Sequence, residues 1–141
     1  GAEAPNTLRQ AAKSEHSAVR AAAIAALGDQ IQSLNDKDAR DMLLEAVDDP
    51  SSEVRSEAIT LIGQLHDPAW ANPLLIPKLY DNDKQVRKNT ALSLMKLKDF
   101  QAINELERRI LEENDTDVLS IFKVAIGQLI AESNERAKFQ E

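Results

Sequence analysis

The chain has no cysteine. That removes disulfides, thiolate metal sites and cysteine nucleophiles together. It leaves the compartment open between cytoplasm and periplasm, since a bacterial chain in either can lack cysteine. Aromatic residues make up only 4% and glycines number four, each isolated, so no glycine-rich phosphate loop exists. No apolar run approaches the about 18 residues of a membrane span. The opening "GAEAPN" does not read as a signal peptide, although "AEAPN" would suit a chain trimmed after one. Histidine is nearly absent: His16 and His66 stand 50 residues apart, which gives neither a metal pair nor a catalytic triad, and no G-x-S-x-G occurs.

Positive charge is also short. The net charge is −7, with lysine and arginine scattered and Arg108-Arg109 the tightest pair. An acidic domain repels phosphate backbones and anionic membrane surfaces, so neither nucleic acid nor membrane is an expected partner. The acidic runs "NDKDARD" (35–41), "DNDK" (81–84) and "EENDTD" (112–117) lack the glycine of a calcium loop. They sit at helix starts, where carboxylates cap free amides.

What is present is enough for one domain: 141 residues, 43% hydrophobic, with a core that must come from Ala, Leu, Ile and Val. Those residues repeat. Val19-Arg20, Val54-Arg55 and Val86-Arg87 recur at 35 and 32 residues, and Val118 follows after another 32. Four residues beyond each Val come Ala23, Ala58, Thr90 and Phe122; eight beyond come Leu27, Ile62, Leu94 and Ile126. Offsets of 0, 4 and 8 share one face of a helix, so each segment is amphipathic with those valines buried. Nine beyond come Gly28, Gly63, Met95 and Gly127, where a neighbouring helix is expected to approach closely. The spacing predicts helices over 5–14, 17–33, 37–48, 52–66, 68–80, 84–98, 100–113 and 116–131, fraying later. Pro73 and Pro77 interrupt the fifth, since each lacks an N–H and clashes one turn back.

The stretches "DDPSSEVRSEAITLIGQLHDP" and "DNDKQVRKNTALSLMKL" resemble HEAT repeats, in particular the short HEAT-like repeats of phycobilisome lyases, over about residues 14–131. The resemblance implies an all-α, right-handed α-solenoid of about four helical hairpins, near 14–48, 49–80, 81–113 and 114–131, with a C-terminal capping tail. It also implies a structural ladder: Asp49 bonding Arg55, and Asp81 bonding Arg87. Ser14 in the first unit, and Glu113 with Leu119 in the last, would break that ladder at both ends.

In such a stack the second helices line a concave face. Trp70, Pro77, Tyr80 and Arg108 are the candidate partner-binding residues there, with Trp70 alternatively filling a gap beside the prolines. The last helix is apolar over roughly 240° of its circumference, against about 160° for the helix starting at Ser52. The tail "AESNERAKFQE", folding back through Phe139, is the expected cover; a second copy of the chain, giving a homodimer through the C-terminal helix, or a further domain are the alternatives. The function expected is a non-catalytic scaffold that grips a protein or peptide and needs no cofactor. The alternative is a subunit or domain of a bilin lyase-like enzyme, and then a HEAT-like DNA glycosylase.

Overall fold

The computed structural model describes residues 3–30 and 36–139, and side chains from Thr7 to Gln30 and Lys37 to Phe139. The helix expected to reach residue 33, and the start of the 35–41 run, fall partly outside them. Eight α-helices follow in order: α1 (Glu3–Ala11), α2 (Ser17–Gln30), α3 (Asp36–Ala46), α4 (Ser52–Gly63), α5 (Pro68–Leu75), α6 (Lys84–Lys96), α7 (Ile103–Glu112) and α8 (Thr116–Lys138). Two 3₁₀ segments, Ile76–Tyr80 and Phe100–Ala102, complete the described elements, which include no strand.

Helix starts follow the carboxylates. Asp83 accepts from the Val86 amide at 3.0 Å, Asp115 from the amides of Asp117 and Val118 at 3.0 Å each, and Asp67 from Trp70 at 3.3 Å. Prolines set the fifth element. Pro73 is tolerated inside α5, but at Pro77 the backbone has wound into 3₁₀ geometry, so the region is one α-helix and one tighter turn.

The chain divides into two compact units, residues 1–61 and 62–141. In the first, α1 packs on α2 and α2 on α3, closing over Leu27, Leu43 and Ile59, each fully buried. In the second, α8 packs on α6 and α7, and α6 on α5 and its 3₁₀ extension. Leu75, Leu79, Leu94, Leu106, Phe122 and Leu129 form that core, all at 0% exposure.

Val54, Val86 and Val118 are buried, but Val19 is 41% exposed, which corrects the expectation for the first repeat. Among the described residues only the nine-residue α1 precedes α2, and it leaves the first turn of α2 open. The tail is corrected as well. α8 runs on as one helix to Lys138, and Phe139 is 83% exposed rather than folded back. "AESNERAK" is built of helix formers with no glycine or proline, so nothing stops propagation. Val124 and Ile130 stay 57% and 40% exposed on that helix.

The three helix glycines differ. A Cβ on Gly63 would lie 2.5 Å from Ser93 Oγ and 3.0 Å from its Cα, so Ser93 approaches Gly63 as it does only without a side chain there. At Gly28 the obstacle is the far end of the Leu61 side chain, Cδ2 at 2.7 Å, and at Gly127 nothing lies within 4 Å. Gly63→Ala is therefore expected to destabilise by about 1–3 kcal/mol. Gly127→Ala should stabilise by about 0.5–1 kcal/mol, because only the entropic penalty of glycine is removed. Urea unfolding of both variants checks the opposite signs.

Candidate functional site

A cleft of 430 Å³ opens in the first unit. One wall is the end of α1, with Arg9 and Lys13; the other is α3, with Asp38, Asp41 and Glu45. The Asp48-Asp49-Pro50 turn closes one side, and Ile24, Ala46 and Val54 give an apolar floor. Such a volume, with an apolar base and a few placed charges, is that of a small-molecule site.

Its charges are organised. Arg9 Nη2 donates to Asp38 Oδ2 at 2.6 Å, and Lys37 Nζ to Asp41 Oδ2 at 2.8 Å. Arg20 grips Asp49 with two bonds of 2.9 Å. Lys13 makes no ion pair among the described residues. The bond from Arg20 holds the Asp49 carboxyl below the ordinary carboxylate range, although burial pushes the other way. A carboxyl lowered by folding contributes stability above its unfolded pKa, about 3.9, and loses it as pH falls through the lower folded value. Asp49→Asn should therefore flatten the acid limb of a stability–pH curve below about pH 4 and leave its neutral-to-basic shape unchanged. Chemical unfolding from pH 2 to 7 checks this.

The arginines of the Val-Arg pairs bond the residues expected of them, through the turn carbonyls. Arg55 Nη1 donates to the backbone carbonyls of Asp49 (2.9 Å) and Pro50 (3.1 Å), and Arg87 Nη1 to that of Asp81 (2.8 Å). Each of these bonds runs from a guanidinium to a backbone carbonyl of the turn. The carboxylates come from the following turn: Asp49 serves Arg20, and Glu113 serves Arg87 at 2.9 Å. Ser14 and Glu113 do not interrupt the pattern. Any residue supplies a carbonyl, as Ser14 does to Arg20 at 2.9 Å, and a glutamate reaches where an aspartate would.

In the second unit the candidate partner-binding residues are only partly brought together. Tyr80 is 48% exposed, and its hydroxyl donates to Glu105, which raises the phenol pKa. Arg108 reaches the same carboxylate at 3.3 Å. Pro77 is exposed in the segment that carries Tyr80, and Trp70 is half-buried at the start of α5. Sequence reasoning missed Arg109. It is 8% exposed, with Nε on the Leu79 carbonyl at 3.0 Å, Nη2 on Glu113 at 3.2 Å, and its guanidinium 4.7 Å from the Tyr80 ring and 5.7 Å from that of Phe122. Its signal was register: three residues beyond Leu106, it lies on the buried stripe of α7, while Arg108 does not.

Strandless helical hairpins whose Val-Arg pairs are tied into the inter-helix turns define the α-solenoid class of HEAT type. The HEAT repeats model matches residues 4–75 and again 41–126, and the chain belongs to that family. It is also 38% identical over 130 residues to the "Bilin biosynthesis protein MpeU" of Synechococcus sp. (strain WH8020), across 92% of this chain and 44% of the relative. The chain therefore spans less than half the length of that relative. This finding overturns the expectation of a protein that is not an enzyme: the similarity is to a biosynthesis protein, not to a passive adaptor. No described helix is long and apolar enough to cross a membrane.

Proposed function

We propose that the chain belongs to the bilin-handling machinery of the lyase type: it holds a linear tetrapyrrole and presents it to a protein thiol. The observation that supports this most is the 38% identity, over 92% of the chain, to a bilin biosynthesis protein. The absence of cysteine shapes the role. These 141 residues have no thiol with which to hold a bilin covalently, so they bind it reversibly and the thioether forms on the acceptor. In that step the acceptor sulfur adds to an exocyclic double bond of the bilin. One C–S bond forms, the thiol proton ends on the tetrapyrrole, and no electrons are exchanged with a third party.

The helical surface supplies the protein contact, with Pro77, Tyr80 and Arg108 of the second unit as the candidate face for the acceptor. Tyr80 suits this role because its ring is held by Arg109 and Glu105 before any partner arrives, so little side-chain entropy is lost on docking.

The test mixes the purified chain with a free bilin and an apo-phycobiliprotein subunit. The expected result is a shift of the bilin visible band on adding the chain, and faster or more site-selective adduct formation, read by mass spectrometry of the acceptor. If the spectrum of the bilin and the yield and position of the adduct are all the same with and without the chain, the proposal fails.

A further inference from the structure

We infer that the cleft between α1 and α3 is the bilin-binding site, with Arg9 and Lys13 clamping the two propionates. This rests on the bilin reading above and adds the site and its polarity. A bilin is an elongated, largely apolar ligand with two kinds of polar edge. Two propionate carboxylates hang from its neighbouring central rings, and pyrrole N–H donors line the other edge.

The cleft offers a match to each part. Arg9 lies in the last turn of α1 and Lys13 in the turn just beyond it. The Ala12 amide still bonds Leu8 at 2.8 Å, while the Lys13 amide bonds Gln10 at 3.1 Å, so the chain tightens as it leaves the helix. Both side chains line the cleft from that one end, where two short acid chains on adjacent rings can meet both. Across the cleft, Asp41 and Glu45 are also four apart on α3 and supply acceptors for N–H groups. Ile24, Met42 and Val54 meet the ring faces.

Two of the cleft carboxylates keep cations of their own when Arg9 turns to a ligand: Asp41 is paired with Lys37 and Asp49 with Arg20. The Arg9–Asp38 pair is the one a propionate must compete with. Its side chains are 41% and 37% exposed, so exchanging one carboxylate for another needs little desolvation.

The test compares a free bilin diacid with its dimethyl ester, read by visible absorbance titration on the 141-residue chain. The wild type should bind the diacid about tenfold or more tightly than the diester. The Arg9→Ala/Lys13→Ala double variant should lose that preference while keeping its affinity for the diester. Asp38→Asn, which frees Arg9, should tighten diacid binding. A control variant with the same charge change, Lys123→Ala/Lys138→Ala on α8, should keep the preference, and circular dichroism melts confirm that each variant folds. Equal affinity of the wild type for diacid and diester overturns the clamp and leaves the bilin reading standing, as does an undiminished preference in the double variant. Failure of the wild type to bind either form overturns both.

Discussion

Glu113→Ala is expected to lower stability by about 3–5 kcal/mol, with a fall in Tm on the order of 10–20 °C. The Glu113 side chain is only 3% exposed, and its two oxygens serve two guanidiniums: Oε1 accepts from Arg87 at 2.8–2.9 Å, and Oε2 from Arg109 at 3.2 Å. Removing the carboxylate leaves Arg87 without this largely buried partner and Arg109 with only the exposed Glu112 at 3.3 Å, so the cost is that of poorly compensated, mostly buried charge, beyond the loss of the hydrogen bonds to Glu113. Glu113→Gln keeps the shape and one acceptor oxygen, so it should fall between wild type and alanine. Thermal unfolding followed at 222 nm distinguishes the three. A loss below about 1 kcal/mol for the alanine variant would mean that the arginines find other carboxylates or reach solvent.

Phe122→Ala should cost a comparable amount, about 3–5 kcal/mol, for an unrelated reason. Phe122 is fully buried and is the largest such side chain among the described residues, so its removal leaves a cavity between α8 and its neighbours as well as losing transfer energy. It also lies 5.7 Å from the Arg109 guanidinium, which the Tyr80 ring flanks at 4.7 Å. The Phe122→Ala and Glu113→Ala losses should therefore not add, because both act through Arg109. A double-variant cycle in urea gives the coupling, and strict additivity would show that Arg109 does not link the two residues. Phe122→Leu, which restores most of the volume, should recover more than half of the loss.

The helical class was legible because a period of 32–35 residues and a stripe at offsets 0, 4 and 8 have few other physical solutions. The stripe states which face is apolar and is silent on what covers it, which is why Val54, Val86 and Val118 are buried and Val19 is not. The arginine contacts were legible only in part: Arg55 meets Asp49 and Arg87 meets Asp81 as expected, while the second contact of such an arginine was not. An arginine beside a turn reaches two turns, its own and the next, and sequence proximity shows only the first; the carboxylate of Asp49 serves Arg20, 29 residues away. For the tail, the width of the apolar face argued for a cover, while the helix propensity of "AESNERAK" pointed to continuation and prevailed. The cleft was hidden because Arg9 and Asp38 each look like an ordinary surface charge, and 29 residues separate them. The bilin lyase-like alternative came from the resemblance of the repeats alone. A repeat scaffold carries no catalytic signature of its own, so no residue of the sequence singled that reading out over a scaffold.

His66 and Lys98 adopt left-handed backbone, with φ of 56° and 54°, each just past the first helix of its hairpin. Neither is a glycine, so both hairpins fix this conformation against its intrinsic cost, and the residue sets the direction in which the chain leaves the helix. Chimaeras that exchange hairpins between related repeat proteins are accordingly constrained in where they can be spliced. A crossover within an exposed helix surface leaves these corners intact, whereas one placed at 66 or 98 pairs an incoming segment with an exit angle it was not selected to follow.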